Sequence, residues 1–509
     1  MDASPSRASP MPDWRFSATK RNSIPFHHQL ILVKLSHPPA DLLRMKKLKR
    51  HLPLLLLAFG LALSNPALSG PKQMLMLMEM LKQNGSLTEA QFQQLKAAME
   101  AEEPPATPSS SPSPVSPPMM AEPAPSETGE VRLSTRGGSI KAEAYDGESS
   151  LELTAQIAAD AAFYSSDQSD LGDGAEIRYA RIGLEGSLYG AWEYGLEADF
   201  AGEDIGLKDA WLGYRSLGRS LIRGGLFKQP FSLEEATPSA HQTFMERSLI
   251  NELAPGKNIG VGMESHDTHW YLAGGIFGEG PNDADDKLDD EGWGGSLRGV
   301  WAPLPEKGRV IHLGASADYR NFGGDSDTEA SWRIRTHPES HIVDKTNYLL
   351  DTGKIKHIDH SHSLALEAAA VYGPFSLQGE YLRTRINIED YAEPLNFHGY
   401  YIAGSWFITG ESRNYDIKQA RFERITPRSN FGWGEGRGAW ELALRHSYLD
   451  LDDQDIQGGR QSNTTFGLNW YINPNTRFMA NYILVDTDPD ASGLNNNPKI
   501  FQLRGQYDF

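Results

Sequence analysis

The chain has 509 residues, with 49 glycines, 31 prolines and no cysteine, and its formal net charge is −19 at pH 7. The lack of cysteine excludes a disulfide scaffold, a thiolate metal centre and a cysteine nucleophile. The one strongly apolar stretch, residues 52–63, is too short to cross a bilayer as a helix, so a bundle of transmembrane helices is excluded too. A content of 39% hydrophobic and 10% aromatic residues is typical of an ordered chain.

The apolar stretch is the centre of a predicted export signal. A basic cluster at residues 46–50 precedes it, and the small-residue segment 67–69 follows it. This succession of basic, apolar and small residues is typical of a cleavable secretory signal peptide, which we place at residues 45–69.

Residues 1–44 precede this signal and show no pattern of their own. Because a signal normally opens a chain, we interpret them as an upstream extension and Met45 as the start of the protein. Removal of residues 1–70 leaves 38 basic and 64 acidic residues, a formal charge of −26. This acidic balance argues against nucleic acid as a partner.

Two further segments follow the signal. Apolar residues at helical spacing over residues 73–100 predict short amphipathic helices, which need each other or copies from other subunits to bury their apolar faces, as in a coiled coil. Residues 101–130 are rich in proline, serine and alanine, a composition typical of an extended linker. The main domain is therefore predicted at residues 131–509.

Apolar and polar residues alternate throughout this main domain. In the last strand, Phe501, Leu503 and Tyr507 share one face, whereas Gln502 and Arg504 share the other. A period of two predicts half-buried β-strands. Charges on the opposite face of strand after strand favour a barrel with a polar lumen over the alternative, a soluble periplasmic β-sandwich or propeller.

The connections between these strands are predicted to alternate in length. Residues 473–475 form a tight turn, whereas residues 283–291 and 450–460 are read as long acidic loops. Short turns at one rim and long loops at the other are typical of an outer-membrane barrel. With one strand per roughly 20–25 residues, residues 131–509 accommodate about 16 strands, enough to enclose an aqueous channel. The sequence thus predicts an all-β, antiparallel transmembrane barrel in a Gram-negative outer membrane.

Several separate motifs of this domain resemble the phosphate-selective porins O and P of Gram-negative outer membranes. The resemblance implies a barrel of sixteen strands, a homotrimer, a third loop folded into the lumen and an anion path lined by arginine and lysine. A leading helix and linker also recur in such proteins. The motifs lie at residues 178–200, 208–215, 225–231, 244–248 (FMERS), 254–260 (APGKNIG), 409–413 (TGESR), 438–442, 467–471 and 481–482.

The candidate anion path consists of cationic side chains on the predicted lumen face and in residues 228–257, which by resemblance form the constriction loop. Fixed cations in a confined lumen focus the field, so they outweigh a distant net charge of the opposite sign. The planar fork of arginine also suits phosphate, because it donates two parallel hydrogen bonds. The candidates are Arg181, Arg215, Arg223, Lys228, His241, Arg247, Arg445 and Arg504.

Three alternatives stay open at this point. The lumen arginines could pair with Glu185, Glu197 or Glu441 and only hold the wall together. The family has a lysine in the middle of the loop, whereas here no lysine stands near residues 239–241, so general or weakly selective anion transport remains beside phosphate transport. A structural outer-membrane anchor without transport is the third alternative.

No catalytic motif or cofactor site is predicted. The chain has no G-x-S-x-G, H-E-x-x-H or phosphate-loop pattern, so we expect a channel and no enzyme. His357, His360 and His362 match no metal-site spacing and are interpreted as part of a polar loop. The acidic residues 283–291 lack the ligand spacing of a calcium loop and are expected at the outer surface. The expected partners are small anions such as phosphate, outer-membrane lipid and lipopolysaccharide, and other copies in a homotrimer.

Overall fold

The computed structural model describes residues 131–509, except for residues 136–138, 169–170, 203, 217, 281–291, 324–329, 343–347, 390 and 433–435. The signal, coiled coil and linker predicted within residues 1–130 lie outside the described residues, as does the acidic segment 283–291. Within the described residues, no helix combines the length and the apolar composition needed to cross a membrane.

The described residues form β-strands almost throughout. The strands in chain order are β1 (Val131–Ser134), β2 (Ile140–Ala144), β3 (Ser150–Ser165), β4 (Gly174–Leu188), β5 (Trp192–Asp199), β6 (Gly206–Ser216), β7 (Ser220–Lys228), β8 (Lys257–His266), β9 (Trp270–Phe277), β10 (Trp293–Glu306), β11 (Arg309–Asn321), β12 (Ser331–Trp332), β13 (Arg335–Thr336), β14 (Leu350–Asp351), β15 (Ile355–Lys356), β16 (Ile358–Tyr372), β17 (Phe375–Ile388), β18 (Leu395–Phe407), β19 (Asn414–Asp416), β20 (Arg421–Glu423), β21 (Ala439–Asp453), β22 (Ile456–Tyr471), β23 (Thr476–Thr487) and β24 (Lys499–Asp508).

Sixteen of these described strands, β3–β11, β16–β18 and β21–β24, form a closed antiparallel barrel. Each strand pairs with the next one along the chain, and β24 closes the ring on β3 with Leu503 opposite Ala161. The β1–β2 hairpin pairs through β2 with residues 150–153 of β3, which lie beyond the part of β3 that pairs with β24. Closure pairs every backbone group of the wall, which a bilayer requires. The barrel of about 16 strands predicted from the alternation is thereby confirmed.

The alternation of the sequence explains the two faces of the wall. In β24, Phe501 and Leu503 are each 41% exposed on the outer surface, whereas Gln502 and Arg504 are buried inside at 2% and 1%. Aromatic side chains, such as the stacked Trp440 and Trp470, lie on the outer surface near one end of the strands, as expected of an interfacial aromatic girdle.

Short turns and long connections define the two rims, which we call the turn rim and the loop rim. Residues 373–374 connect two strands at the turn rim, and residues 229–256 connect two strands at the loop rim. The long connection 408–438 is an exception, since strand order places it at the turn rim.

The prediction of a long loop at residues 450–460 is wrong. Strands β21 and β22 extend through this segment and leave only Gln454 and Asp455 between them. The reason is that the alternation continues there: Leu449 and Leu451 are fully buried on the inner face, while Asp450 and Asp452 lie on the outer face.

The connection 229–256 folds into the lumen, as the resemblance implied. It contains helix α1 (Leu233–Ala236) and two short 3₁₀ turns (Ser239–His241 and Leu249–Leu253). The side chain of Ser232 caps α1 by accepting a hydrogen bond from the Glu235 amide (3.2 Å). The Glu380 carboxylate of β17 accepts hydrogen bonds from the amides of Leu233 (3.0 Å) and Glu234 (2.7 Å). These bonds fix the helix to the wall.

A hydrophobic cluster occupies one side of the lumen. Phe244 and Ile250 of the infolded connection pack there among inward-facing side chains of β16–β18 and β21, including Leu382 and Phe397. We call this region the packed side of the lumen, and the wall formed by β4–β8 the open side. On the packed side, therefore, apolar side chains of the strands face the lumen and not the lipid.

Candidate anion path

A row of cationic side chains crosses the open side of the lumen at the level of the infolded connection. Arg181 of β4 pairs in register with Asp199 of β5, and Lys228 of β7 lies directly opposite Lys257 of β8. Lys208 of β6 lies between them, where the register of β5 and β6 shifts. We call Arg181, Lys208, Lys228 and Lys257 the cationic row.

Three members of the cationic row are ion-paired. Arg181 donates to Asp199 (Nε–Oδ2, 2.8 Å), and Lys257 contacts Asp209. Lys228 Nζ is 3.1 Å from Glu235 Oε1. These side chains remain 17–25% exposed, so lumen water reaches them.

Lys208 differs from its neighbours in the row. Within the part of the chain that the structure describes, no carboxylate oxygen lies within 4.0 Å of its ammonium group. The side chain is partly exposed on a wall that otherwise balances each cation with an acid. Lys208 therefore contributes a positive charge that no contact neutralises.

Arg247 stabilises the infolded connection on itself. Its guanidinium lies 3.3 Å from Glu235 Oε2 and donates to the carbonyls of Glu234 (3.3 Å) and Thr237 (3.2 Å). Burial alone would raise the pKa of Glu235, but the charges of Arg247 and Lys228 lower it below its usual value. The carboxylate of Glu235 thus stays ionised and links the connection to the cationic row.

His241 links the infolded connection 229–256 to the connection 408–438. Its Nδ1 lies 3.3 Å from Oε2 of Glu423, which belongs to the connection 408–438. Burial alone would raise the pKa of Glu423, but the hydrogen bond from His241 and the charge of Arg421 lower it to about 2. The two connections therefore meet where His241 contacts the Glu423 carboxylate.

Arg504 and Arg445 are buried in ion-pair networks. Arg504, 1% exposed, donates to both carboxylate oxygens of Asp160 (2.7 and 2.6 Å) and to Glu246 (2.7 Å). Arg445, 2% exposed, contacts Glu339 (2.7 Å) and Glu234 (3.3 Å). These two arginines connect the wall to the infolded segments and have little access to lumen water. Their contacts are those of structural residues.

Arg215 and Arg223 point into the lumen nearer to the turn rim. Arg215 makes a two-pronged contact with Glu193, with Nη2 2.8 Å from Oε2. Arg223 Nη2 lies 3.4 Å from Oε2 of Glu264. The structure therefore brings Arg181, Lys228 and Arg247 together but leaves these two outside that group.

The carboxylates that pair with the candidate residues are mostly different from those considered in the sequence. Among the described residues, Glu185 and Glu441 form no ion pair with the candidate arginines, and Glu197 lies 3.9 Å from Lys257. The partners come from other strands and connections, so alternation within one strand does not identify them.

Sequence reasoning missed Arg178, Lys208 and Lys257. Arg178 donates to Glu246 through Nε (2.9 Å) and Nη2 (3.0 Å). It lies where the register of β3 and β4 shifts, and Lys208 lies at the corresponding shift between β5 and β6. A β-bulge adds a residue and redirects side chains, so a strict period of two fails at both positions. Lys257 lies at the end of the predicted constriction loop but pairs with the wall.

The polar loop predicted for the histidines at residues 357–362 is wrong, because His360 and His362 belong to strand β16. His362 is exposed on the outer face of β16, and His360 Nδ1 contacts the neighbouring Asp359 (2.8 Å). No group of three or more histidine, aspartate or glutamate side chains within the described residues is placed to hold a metal ion.

A closed sixteen-stranded barrel with an infolded connection and a charged lumen is the architecture of an outer-membrane porin. The model of the family "Phosphate-selective porin O and P" matches residues 151–509. The chain belongs to this family, which confirms the resemblance seen in the motifs.

The chain is similar to the following relatives and solved structures. Porin O of Pseudomonas aeruginosa PAO1 is 29% identical over 394 residues, covering 70% of this chain and 88% of the relative. An uncharacterized protein of Caulobacter vibrioides is 31% identical over 344 residues, covering 65% of this chain and 67% of the relative. An anion-selective porin from Comamonas acidovorans (12% identity, TM-score 0.46) and OmpT of Vibrio cholerae (11%, 0.46) each match 71% of this chain, over 100% and 98% of their own length.

Proposed function

We propose that this outer-membrane porin passes small anions, phosphate and related oxyanions among them, by passive diffusion along the open side of the lumen. The observation that carries the proposal is the unneutralised Lys208 in the cationic row. Because the low-dielectric wall focuses its field, this local charge decides which ions enter, despite the acidic balance of the chain.

The neighbouring arginine supplies the recognition of oxyanions. Arg181 donates not only to Asp199 but also to the hydroxyl of Ser239 in the infolded connection (3.0 Å). An anion that exchanges with this hydroxyl gains a charge-assisted hydrogen bond from the guanidinium. Transport then requires no cofactor or energy source, and it needs no covalent chemistry.

The proposal is tested by reversal potentials in a KCl gradient across a planar bilayer. The parent channel should prefer chloride, and Lys208→Glu should shift the preference towards potassium. Lys307→Glu is the matched control, because Lys307 is an exposed lysine in the turn 307–308. A parent that prefers potassium, or a K208E channel that behaves like the parent, contradicts the proposal.

The proposal has a second, more specific part, which is a preference for phosphate over other small anions. No lysine stands near residues 239–241, and His241 is already held by Glu423. Phosphate block of chloride current measures the preference directly: block at submillimolar phosphate supports selection, and block only at high concentration indicates a general anion porin. A protein that inserts but conducts no current indicates a structural anchor.

We also propose that the chain is exported by the signal at residues 45–69 and assembles as a homotrimer. The helices predicted at residues 73–100 would then associate in the periplasm. Native mass spectrometry of the exported protein, with and without residues 70–129, measures both the mature start and the subunit number. A monomer in both cases contradicts the assembly.

A further inference from the structure

The outer surface of the barrel carries a basic patch near the loop rim. On β17 the usual polarity is inverted: Leu382 and Ile386 are buried inside, whereas Arg383 and Arg385 face outwards. The inversion follows from the packed side of the lumen, whose apolar cluster recruits the inward-facing leucine and isoleucine. Arg385 and Arg383 therefore lie three and five residues before Ile388, the last residue of β17.

Within the residues that the structure describes, these two arginines have no acidic partner. Arg383 Nη2 (2.7 Å) and Arg385 Nε (3.2 Å) donate to the same amide oxygen of Asn396. Among the described residues, no carboxylate oxygen lies within 4.0 Å of either guanidinium. Two other outward-facing arginines are paired: Arg460 with Asp452 (3.2 Å) and Arg309 with Glu306 (4.0 Å).

A groove begins at the arginine pair and runs along the outer surface. Its volume is about 540 Å³, and the small side chain of Ala317 leaves space between Leu297 and Leu364, which are 55% and 59% exposed. Strand register aligns Leu297, Ala317, Leu364 and Arg383 across β10, β11, β16 and β17. The groove is thus apolar along its length and cationic at one end.

Histidines border the arginine pair on both sides. His362 lies opposite Arg385, and His398 lies opposite Arg383. Two carboxylates near the pair accept other hydrogen bonds: Asp453 from the Asn396 amide (2.7 Å), and Asp450, opposite His398, from the Tyr448 hydroxyl (3.2 Å) and the Asp452 amide (3.0 Å). Among the residues that line the groove, the charged side chains on the outer face are those of Arg383 and Arg385.

We propose that this groove binds an anionic lipid of the outer leaflet, with a headgroup phosphate on Arg383 and Arg385 and an acyl chain along Leu297, Ala317 and Leu364. Long loops of outer-membrane barrels face the outside, so the pair lies at the height of the outer-leaflet headgroups. Two guanidinium groups provide parallel donors for a phosphate, and basic residues at a membrane surface recognise anionic headgroups. The occupant is a lipid whose chemistry is that of a phosphorylated glycolipid such as lipid A.

The experiment measures lipid binding by the purified full-length protein in a non-ionic detergent. Native mass spectrometry follows the titration of bis-phosphorylated lipid A and of its fully dephosphorylated form. The parent should bind the phosphorylated lipid at least about tenfold more tightly than the dephosphorylated one. In Arg383→Gln/Arg385→Gln the two lipids should bind with the same low affinity.

A matched variant, Arg309→Gln/Arg460→Gln, also removes two outward-facing arginines but leaves the groove intact, and it should bind like the parent. Unchanged single-channel conductance of R383Q/R385Q shows that its barrel is folded. Equal binding of both lipids by the parent overturns the proposal without need of any variant. Loss of oligomers in R383Q/R385Q with unchanged lipid binding would make this face a subunit contact and overturn it too.

Discussion

The packed and open sides of the lumen are built from the same alternating strands but have opposite character. On the packed side, inward-facing Leu382 and Phe397 bury infolded chain, and Arg445 is enclosed at 2% exposure. On the open side, Arg181 and Lys257 pair with acids but remain 17% and 25% exposed. The same residue type is therefore enclosed by protein on one side of the lumen and exposed to lumen water on the other.

The difference also shows why charge alone does not define a pore lining. A buried ion pair costs more desolvation free energy than an exposed pair does. A buried arginine therefore needs several acceptors. Arg504 has three carboxylate oxygens within 2.7 Å, as well as the carbonyl of Met245. These contacts use four of the five N–H donors of a side chain that is 1% exposed, so little of it is accessible to a passing anion.

The largest expected effect is on stability, from removal of the central arginine of the packed side. Arg445→Met leaves Glu234 and Glu339 buried without their cation, so the free energy of unfolding should fall by about 3–5 kcal/mol. Urea unfolding followed by tryptophan fluorescence measures the loss.

Arg215→Met is the matched control for this comparison. Its pair with Glu193 is about one-third exposed, at 30% and 27%, so the loss should stay below about 1 kcal/mol. Equal losses for the two variants would remove the distinction between the packed and open sides.

The next effect is on anion binding, from the open side. Arg181→Ala should weaken phosphate block of chloride current by about 1.5–3 kcal/mol, or ten- to a hundredfold, because one charge-assisted hydrogen bond is lost. Arg181→Lys should keep the anion preference and recover only part of the block, since the charge remains but the two-pronged donor does not.

Arg215→Ala is the control for anion binding, because Glu193 holds this guanidinium nearer to the turn rim. Phosphate should block the chloride current of R215A as strongly as that of the parent. Unchanged phosphate block in R181A and R181K would make Arg181 part of the wall structure and place recognition elsewhere.

The smallest expected effect is a pH dependence of selectivity. Displacement of water by the surrounding protein, together with the charges of Glu235 and Glu246, raises the pKa of Glu252 to about 7. The carboxyl is neutral below that value and negative above it, so the anion preference should fall between pH 6 and 8. The change should stay below about tenfold, because mobile ions screen a single lumen charge.

Glu252→Gln should remove the part of this pH dependence that the carboxyl causes. Reversal potentials at pH 6, 7 and 8 measure the change. Identical pH profiles for the parent and E252Q would show that Glu252 does not titrate in this range.

The sequence by itself determined the barrel, the number of strands and the family. A period of two is a local property, since it requires only that neighbouring residues face lipid and lumen in turn. It also placed Arg181 and Arg445 on the lumen face, although it could not tell an exposed arginine from a buried one.

Only the tertiary structure decided which charges are neutralised. Arg504 pairs with Asp160, 344 residues away along the chain, because closure of the barrel makes β24 and β3 neighbours. The β-bulges that bring Arg178 and Lys208 to the lumen interrupt the alternation, and the outward direction of Arg383 follows from the cluster on the other face of its strand. These features depend on contacts between distant segments, which no local pattern contains.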